Sequence, residues 1–165
     1  MSTSALTVEP KSRKTALIYF SCKSGVSKKT RHDCINKLIL RKFKQHAVAV
    51  IPEPQGLISN NNTLPDGVTL VPFFHGKCLT WDVTVIHPTS KSYIESACLK
   101  NLTAANQAEE KKKTKYSNLA PEYLFSPLVL ETFGAFGSQF LHTFRSLQKF
   151  HRNDQIEKAH FFQNL

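Results

Sequence analysis

Two stretches of strand-like sequence lie very close together, and their spacing restricts the fold more than any other feature of the chain. Residues 68–73 and 79–86 are rich in β-branched and aromatic residues, and only a short segment around His75-Gly76 separates them. So short a separation predicts a β-hairpin. A chain of 165 residues, 41% of them hydrophobic, is long enough to bury such a hairpin in the core of one domain.

The segments around this hairpin alternate between helical and strand patterns. Residues 30–45 predict an amphipathic helix, since apolar side chains recur at helical spacing and basic residues occupy the other faces. The remaining predicted elements are a strand at 47–51, a helix at 90–119, a strand at 124–132 and a helix at 137–151. The order α-β-β-β-α-β-α predicts the α/β class, as an α+β mixed sheet flanked by helices.

The positive charge of the chain is concentrated near its N-terminus. Lysines and arginines total 22 against 12 acidic residues, and residues 11–50 hold eleven of the basic residues with a single acid, Asp33. A basic segment joined to a neutral remainder is typical of a protein that binds nucleic acid. A solvated basic face or a localisation signal would have the same composition, so an interaction protein with a basic arm stays open as an alternative.

Composition and spacing exclude several classes of protein. No apolar run reaches the roughly 18 residues of a membrane span, and the apolar stretch at 16–20 is too short for a signal-peptide core. The four cysteines lack the CxxC spacing of compact zinc sites. We therefore expect a nuclear or cytoplasmic protein that is not secreted and has no membrane partner. We divide it into a basic flexible segment at 1–29, a domain at 30–153 and a C-terminal tail at 154–165.

Two aspartates would come close together if the hairpin forms. Asp66 lies at the entry of the first strand, and Asp82 lies inside the apolar sequence WDVTV of the second. Strand alternation directs Asp82 and Thr84 to the face opposite Trp81. Burial of a carboxylate is costly unless it is paired, and two neighbouring carboxylates attract a hard cation such as Mg²⁺. Aspartates that cap the ends of a hairpin would have the same spacing, and both interpretations stay open.

A lysine on the helix at 90–119 is the third candidate residue. The apolar stripe of this helix passes through Ala105 and Ala108 and continues to Glu109, Lys112 and Tyr116. Lys112 therefore falls on the extension of the buried face, whereas Lys111 and Lys113 point away. A lysine there would reach the sheet and stabilise the negative charge of a reacting phosphate. A solvated run of lysines at a helix end is the alternative.

Six short stretches occur in an order that resembles a known nuclease pattern. They are Arg31-His32 with Asn36, Pro65-Asp66-Gly67, Trp81-Asp82-Val83-Thr84, Ser92-Tyr93, Lys115-Tyr116 and Glu131-Thr132-x-Gly134. Together they resemble the PD-(D/E)XK restriction-endonuclease-like fold, and more closely its variant at the C-terminus of non-LTR retrotransposon polyproteins. In that variant the lysine has moved from the strand to the following helix, which suits Thr84 at the strand position. We expect the chain to be a fragment that lacks the reverse transcriptase.

The resemblance implies a metal-dependent endonuclease that nicks DNA. The residues implied in catalysis are Asp66, Asp82, Lys112, Glu109 and Tyr116; Asp66 and Asp82 would hold Mg²⁺ or Mn²⁺, and Glu109 and Tyr116 would orient phosphate or water. The residues expected to hold the DNA backbone are Arg31, His32, Lys37, Arg41 and Lys115. RNA of the element would be a second partner. A catalytically inactive DNA-binding module of the same fold is the alternative.

Overall fold

The fold is a mixed four-stranded sheet with helices, and the computed structural model describes residues 25–57, 64–95 and 103–163. Its elements are α1 (Gly25–Gln45), β1 (Val50–Pro52), β2 (Gly67–Phe74), β3 (Lys77–Ile86), α2 (Thr103–Lys115), β4 (Tyr123–Glu131) and α3 (Ser138–Gln163). The strands lie in the order β1-β2-β3-β4, and pairing is antiparallel except between β3 and β4, which are parallel. The predicted α+β class with a mixed sheet is confirmed.

Strands β2 and β3 form a hairpin that is closed by a two-residue turn. His75 and Gly76 have φ angles of +47° and +73°, and two positive angles give a turn that matches the twist of the flanking strands. The register pairs Gly67 with Trp81. Gly67 has no room for a side chain, because a Cβ there would overlap the indole ring of Trp81. The hairpin therefore holds Asp66, one residue before β2, beside the middle of β3.

The two faces of β3 contact different helices. Trp81 is fully buried in a cluster with Phe43 of α1 and Leu147 of α3, and its ring stacks on Phe43 with the centroids 4.8 Å apart. On the opposite face, Ile86 packs against Ala105 of α2. Asp82 and Ile86 are four residues apart on the strand, so their side chains point to the same face, which is the α2 face.

Several predicted boundaries differ from the structure. Helix α1 begins at Gly25 rather than at 30, so residues 25–29 are helical, and the rest of the predicted flexible segment, 1–24, lies outside the described residues. The helix predicted from residue 90 is wrong at its start, because 88–93 form turns. In these turns the amide of Ser90 bonds to the carbonyl of His87. Part of that predicted helix, 96–102, lies outside the described residues, and α2 ends at Lys115.

Helix α3 is longer than the sequence pattern predicts. It continues to Gln163, so the boundary predicted at 153 falls inside a helix, and 164 and 165 lie outside the described residues. Within the described ranges, no helix has the length and apolar character required to cross a membrane.

Candidate active site

The start of the hairpin brings the two aspartates together. The backbone amide of Asp66 donates to the carbonyl of Trp81 at 2.8 Å. The side-chain Oδ2 of Asp66 accepts a hydrogen bond from the amide of Val83 at 2.5 Å. Trp81 and Val83 flank Asp82 along β3, so Asp66 is bonded to the backbone on both sides of the second aspartate. The two carboxylates belong to one small region at the sheet, as the hairpin spacing predicts.

Asp82 is a buried carboxylate that two side chains of the α2 region bind. Its side chain is only 8% exposed, and its Oδ1 lies 2.7 Å from Nζ of Lys112. The hydroxyl of Tyr116 donates to Oδ2 of Asp82 at 2.6 Å. Lys112 and Tyr116 are one helical turn apart, which explains why both reach the same residue.

The hydroxyl of Tyr116 acts as a hydrogen-bond donor in this group. Burial raises the pKa of Tyr116, and the hydrogen bond to Asp82 raises it further. The negative charges of Asp82 and Asp66 both act in the same direction, so both carboxylates influence this one hydroxyl. Tyr116 therefore keeps its proton at neutral pH and holds Asp82 in position.

Asp66 has a partner on α1. Nε2 of His32 lies 2.9 Å from Oδ2 of Asp66. This hydrogen bond is the main reason that the pKa of His32 rises to about 9, and it outweighs burial of the ring, which lowers the pKa. The ring is therefore protonated at neutral pH. One turn later on α1, the side-chain Nδ2 of Asn36 donates to the backbone carbonyl of Asp66 at 3.1 Å. Its Oδ1 accepts from the indole nitrogen of Trp81 at 3.1 Å, and the two bonds fix α1 against the site.

Asp82, Lys112 and His32 line an open cavity of about 600 Å³, named here the active-site cleft, whereas Asp66 and Tyr116 are not among its lining residues. Basic side chains of two helices line it, namely Lys28, Arg31 and His32 of α1 and Lys112 of α2, together with Asp82 of β3. The remaining polar residues of the lining are Thr84, His87, Ser90, Tyr93 and Thr132. A concave surface with this charge attracts phosphate groups.

Glu109 is not part of the cleft lining, although the family resemblance implies that it orients a phosphate or a water there. One carboxylate oxygen accepts a hydrogen bond from the hydroxyl of Ser138 at 2.8 Å, and the other accepts from the amide of Gln139 at 3.0 Å. These donors belong to the first turn of α3, whose amides have no partners within the helix. Glu109 faces the sheet side of α2 as the stripe predicts, but there it caps α3 rather than orienting a phosphate or a water.

Three of the predicted DNA-binding residues lie outside the active-site cleft. Lys37 and Arg41 are exposed, and at about 100° per residue they lie about 180° and 140° around α1 from Lys28. The ammonium of Lys115 lies 5.3 Å from the ring centroid of Tyr116, and it does not line the cleft. Arg31 and His32 are the two predicted DNA-binding residues that do.

The neighbours of Lys112 have different partners. Nζ of Lys113 pairs with Glu110 at 2.7 Å on the exposed side of α2. The ammonium of Lys111 lies 4.9 Å from the ring centroid of Tyr93. Of the three consecutive lysines at 111–113, Lys112 is therefore the one that reaches Asp82.

Sequence reasoning missed several residues of the cleft. Lys28 lies one turn before His32 on the same face of α1, and this spacing is a signal in the sequence that could have identified it. His87 and Thr132 form a hydrogen bond of 2.6 Å between the ends of β3 and β4. They are 45 residues apart, and no local pattern relates them.

The two carboxylates are of the oxygen-donor type that a hard divalent ion binds. In the described part of the chain, the hydrogen bonds to the Asp66 carboxylate fall on Oδ2, and none falls on Oδ1. No group of three or more histidines, cysteines or acidic residues that could hold a metal occurs in those same ranges. Magnesium commonly binds through one or two carboxylates and takes its other ligands from water and substrate phosphate. Asp66 and Asp82 supply two such carboxylates, and both oxygens of Asp82 already bind Lys112 and Tyr116.

Comparisons with known proteins do not identify a family for this chain. The sequence matches no model of a protein family, and it matches no curated protein.

Proposed function

We propose that the chain is a metal-dependent DNA endonuclease domain that nicks a phosphodiester bond. The observation that carries the proposal is the ion pair of 2.7 Å between Lys112 and buried Asp82, beside Asp66 and in a cleft lined by basic side chains of α1. Two carboxylates with a lysine supply the charges that phosphodiester hydrolysis requires. A restriction-endonuclease-like core of the retrotransposon type is part of the same proposal.

The reaction is hydrolysis of one phosphorus–oxygen bond. A water oxygen attacks the phosphorus, the bond to the departing oxygen breaks, and that oxygen gains a proton and leaves as a hydroxyl. Asp66 and Asp82 would hold Mg²⁺ or Mn²⁺, which when bound activates water and stabilises negative charge. Tyr116 and His32 support this step because each fixes one of the carboxylates through a hydrogen bond.

Lys112 acts on the reacting phosphate. Its side chain is 24% exposed and lines the active-site cleft, so its ammonium is within reach of a phosphate that enters there. As the phosphorus becomes five-coordinate, negative charge grows on its non-bridging oxygens, and a fixed ammonium stabilises that charge more than it stabilises the ground state. A single electrostatic donor of this kind contributes about 10²–10³ to the rate.

Helix α1 holds the DNA backbone. Lys28 and Arg31 of α1 line the same cleft as Lys112, and lysine and arginine bind phosphates without reading base sequence. The substrate would therefore be bound mainly through its charge, with little preference for sequence.

A catalytically inactive DNA-binding module is the second candidate. The observation that favours it is that each carboxylate already has a cationic partner, Lys112 for Asp82 and protonated His32 for Asp66. Such a cleft is electrostatically satisfied without a metal ion. The two candidates differ in their response to divalent ions.

Nicking of supercoiled plasmid DNA by the full chain tests the proposal. We expect conversion to open circles with Mg²⁺ or Mn²⁺ and none with EDTA. Asp66→Asn and Asp82→Asn should abolish nicking, because each removes a charge and keeps the shape of the side chain. Lys113→Met, a matched change on the exposed side of α2, should leave nicking unchanged. Binding of the plasmid without nicking under any divalent ion would establish the inactive module, and equal nicking by Asp82→Asn would refute the proposed site.

A further inference from the structure

Phe133 is an exposed aromatic residue on a rigid turn between β4 and α3. Its side chain is 59% exposed. The turn is held by three backbone hydrogen bonds: Thr132 to Ile86 at 2.9 Å, Gly134 to Glu131 at 2.8 Å, and Glu131 to Ala135 at 2.8 Å. Gly134 adopts a φ of +93°, which a residue with a side chain would rarely adopt. The ring is therefore presented to solvent from a fixed position.

The ring of Phe133 lies at the rim of the active-site cleft. It contacts the ring of His87 edge-on, with the centroids 5.4 Å apart and the planes at 67°. His87 and Thr132, the residue before Phe133, both line the cleft. His87 follows Asp82 by five residues along an extended chain, which corresponds to about 16 Å at the ordinary rise of a strand. This distance corresponds to about five nucleotide steps of B-form DNA.

A basic groove with an exposed aromatic ring beside it is the usual arrangement for holding unpaired nucleotides. The charges bind the backbone, and the ring stacks on a base, which is possible only when that base is not in a paired helix. A protein partner fits less well, because a stable interface covers about 800 Å² on each side, far more than one ring. The neighbouring Phe136 already packs on Phe140 with the centroids 4.6 Å apart.

We propose that Phe133 stacks on an unpaired base of the DNA strand that lies in the active-site cleft. This inference rests on the proposed function, since it needs DNA in the cleft. It adds a preference that phosphate contacts cannot supply: DNA with an unpaired base near the cleft binds more tightly than fully paired DNA.

The test compares two short DNA duplexes of the same sequence, one fully paired and one with a single unpaired 2-aminopurine. Affinities of the full chain are measured by fluorescence anisotropy in EDTA, where nicking does not proceed. We expect wild type to bind the bulged duplex more tightly and to quench 2-aminopurine through stacking. Phe133→Ala should lower affinity for the bulged duplex about 5- to 160-fold, the range that corresponds to stacking of one base, and should leave affinity for paired DNA unchanged.

Two further variants separate stacking from loss of structure. Phe133→Trp should keep both the preference and the quenching, because an indole ring also stacks. Leu70→Ala removes a similarly exposed apolar side chain, 55% exposed on β2, and should behave as wild type.

The outcomes distinguish this inference from the proposed function. If wild type binds DNA but Phe133→Ala keeps the full preference for the bulge, or if wild type has none, the stacking proposal is wrong while the proposed function stands. If wild type binds neither duplex, the proposed function fails and the stacking proposal fails with it. If Phe133→Ala alters only the sedimentation of the protein, the ring belongs to an interface between copies of the chain, and the proposal is wrong.

Discussion

Replacing Lys112 with methionine should destabilise the fold, because Asp82 would lose its ionic partner. Methionine keeps the length and apolar stem of lysine and removes only the ammonium. The Asp82 side chain is 8% exposed and the Lys112 side chain 24%, so the carboxylate would stay buried with the hydroxyls of Tyr116, at 2.6 Å, and Thr84, at 3.4 Å, as donors. Removing one member of a buried pair costs about 3–5 kcal/mol. Since Lys112 is partly exposed and Tyr116 remains, we expect the free energy of unfolding to fall by about 2–3 kcal/mol.

Two matched variants isolate the charge effect. Lys113→Met removes the neighbouring ammonium, whose pair with Glu110 is exposed, and should cost less than about 1 kcal/mol. The double variant Lys112→Met with Asp82→Asn replaces the unpaired carboxylate by a neutral amide and should recover much of the lost stability.

The assay for these variants is urea unfolding of the full chain, followed by circular dichroism in EDTA. Equal losses for Lys112→Met and Lys113→Met would refute the assignment of Lys112 to the buried side of α2. A double variant that is no more stable than Lys112→Met would show that the loss does not come from the unpaired charge of Asp82.

Three further predictions follow from individual contacts. Pairing with Asp66 raises the pKa of His32 from 6.5 to about 9. The contribution of this pair to the free energy of unfolding is therefore present in full below about pH 6.5 and is lost as the pH rises through 9. Urea unfolding should detect a loss of about 1–2 kcal/mol across this range, discounted for solvent screening of a ring that is 35% exposed, and His32→Gln should remove the dependence. Lys28→Gln should reduce the slope of log K against log salt for DNA binding by about 0.9, whereas Lys37→Gln, on the other side of α1, should leave it unchanged. Gly137→Ala would press a methyl group against the carboxylate of Glu109 and should lower the unfolding free energy by about 1–3 kcal/mol, measured in the same way.

The hairpin and its two aspartates could be predicted because local signals determine them. Strand-like residues on either side of His75-Gly76 define the turn, and the turn fixes the position of Asp66 relative to Asp82. Lys112 was predictable for a similar reason, since helical periodicity alone selects it from its neighbours.

The rest of the site depends on how helices pack on the sheet, and local patterns do not contain that information. The bond between His32 and Asp66 joins residues 34 apart in sequence, and it exists because α1 crosses the start of the hairpin. Helical periodicity predicts that Glu109 is buried, but it does not identify the residues that Glu109 contacts. Those residues belong to the first turn of α3. The sequence does not predict the turns at 88–93, because Ile94 fits the helical spacing of the apolar residues that follow it.

A titration with Mn²⁺ tests whether Asp66 and Asp82 hold one divalent ion between them, as we propose. Electron paramagnetic resonance counts free Mn²⁺ in the presence of the full chain and a short DNA duplex. We expect one bound ion per wild-type chain, loss of that ion in both Asp66→Asn and Asp82→Asn, and retention in Lys113→Met. Mn²⁺ binding as tight as wild type in either asparagine variant would contradict a shared site.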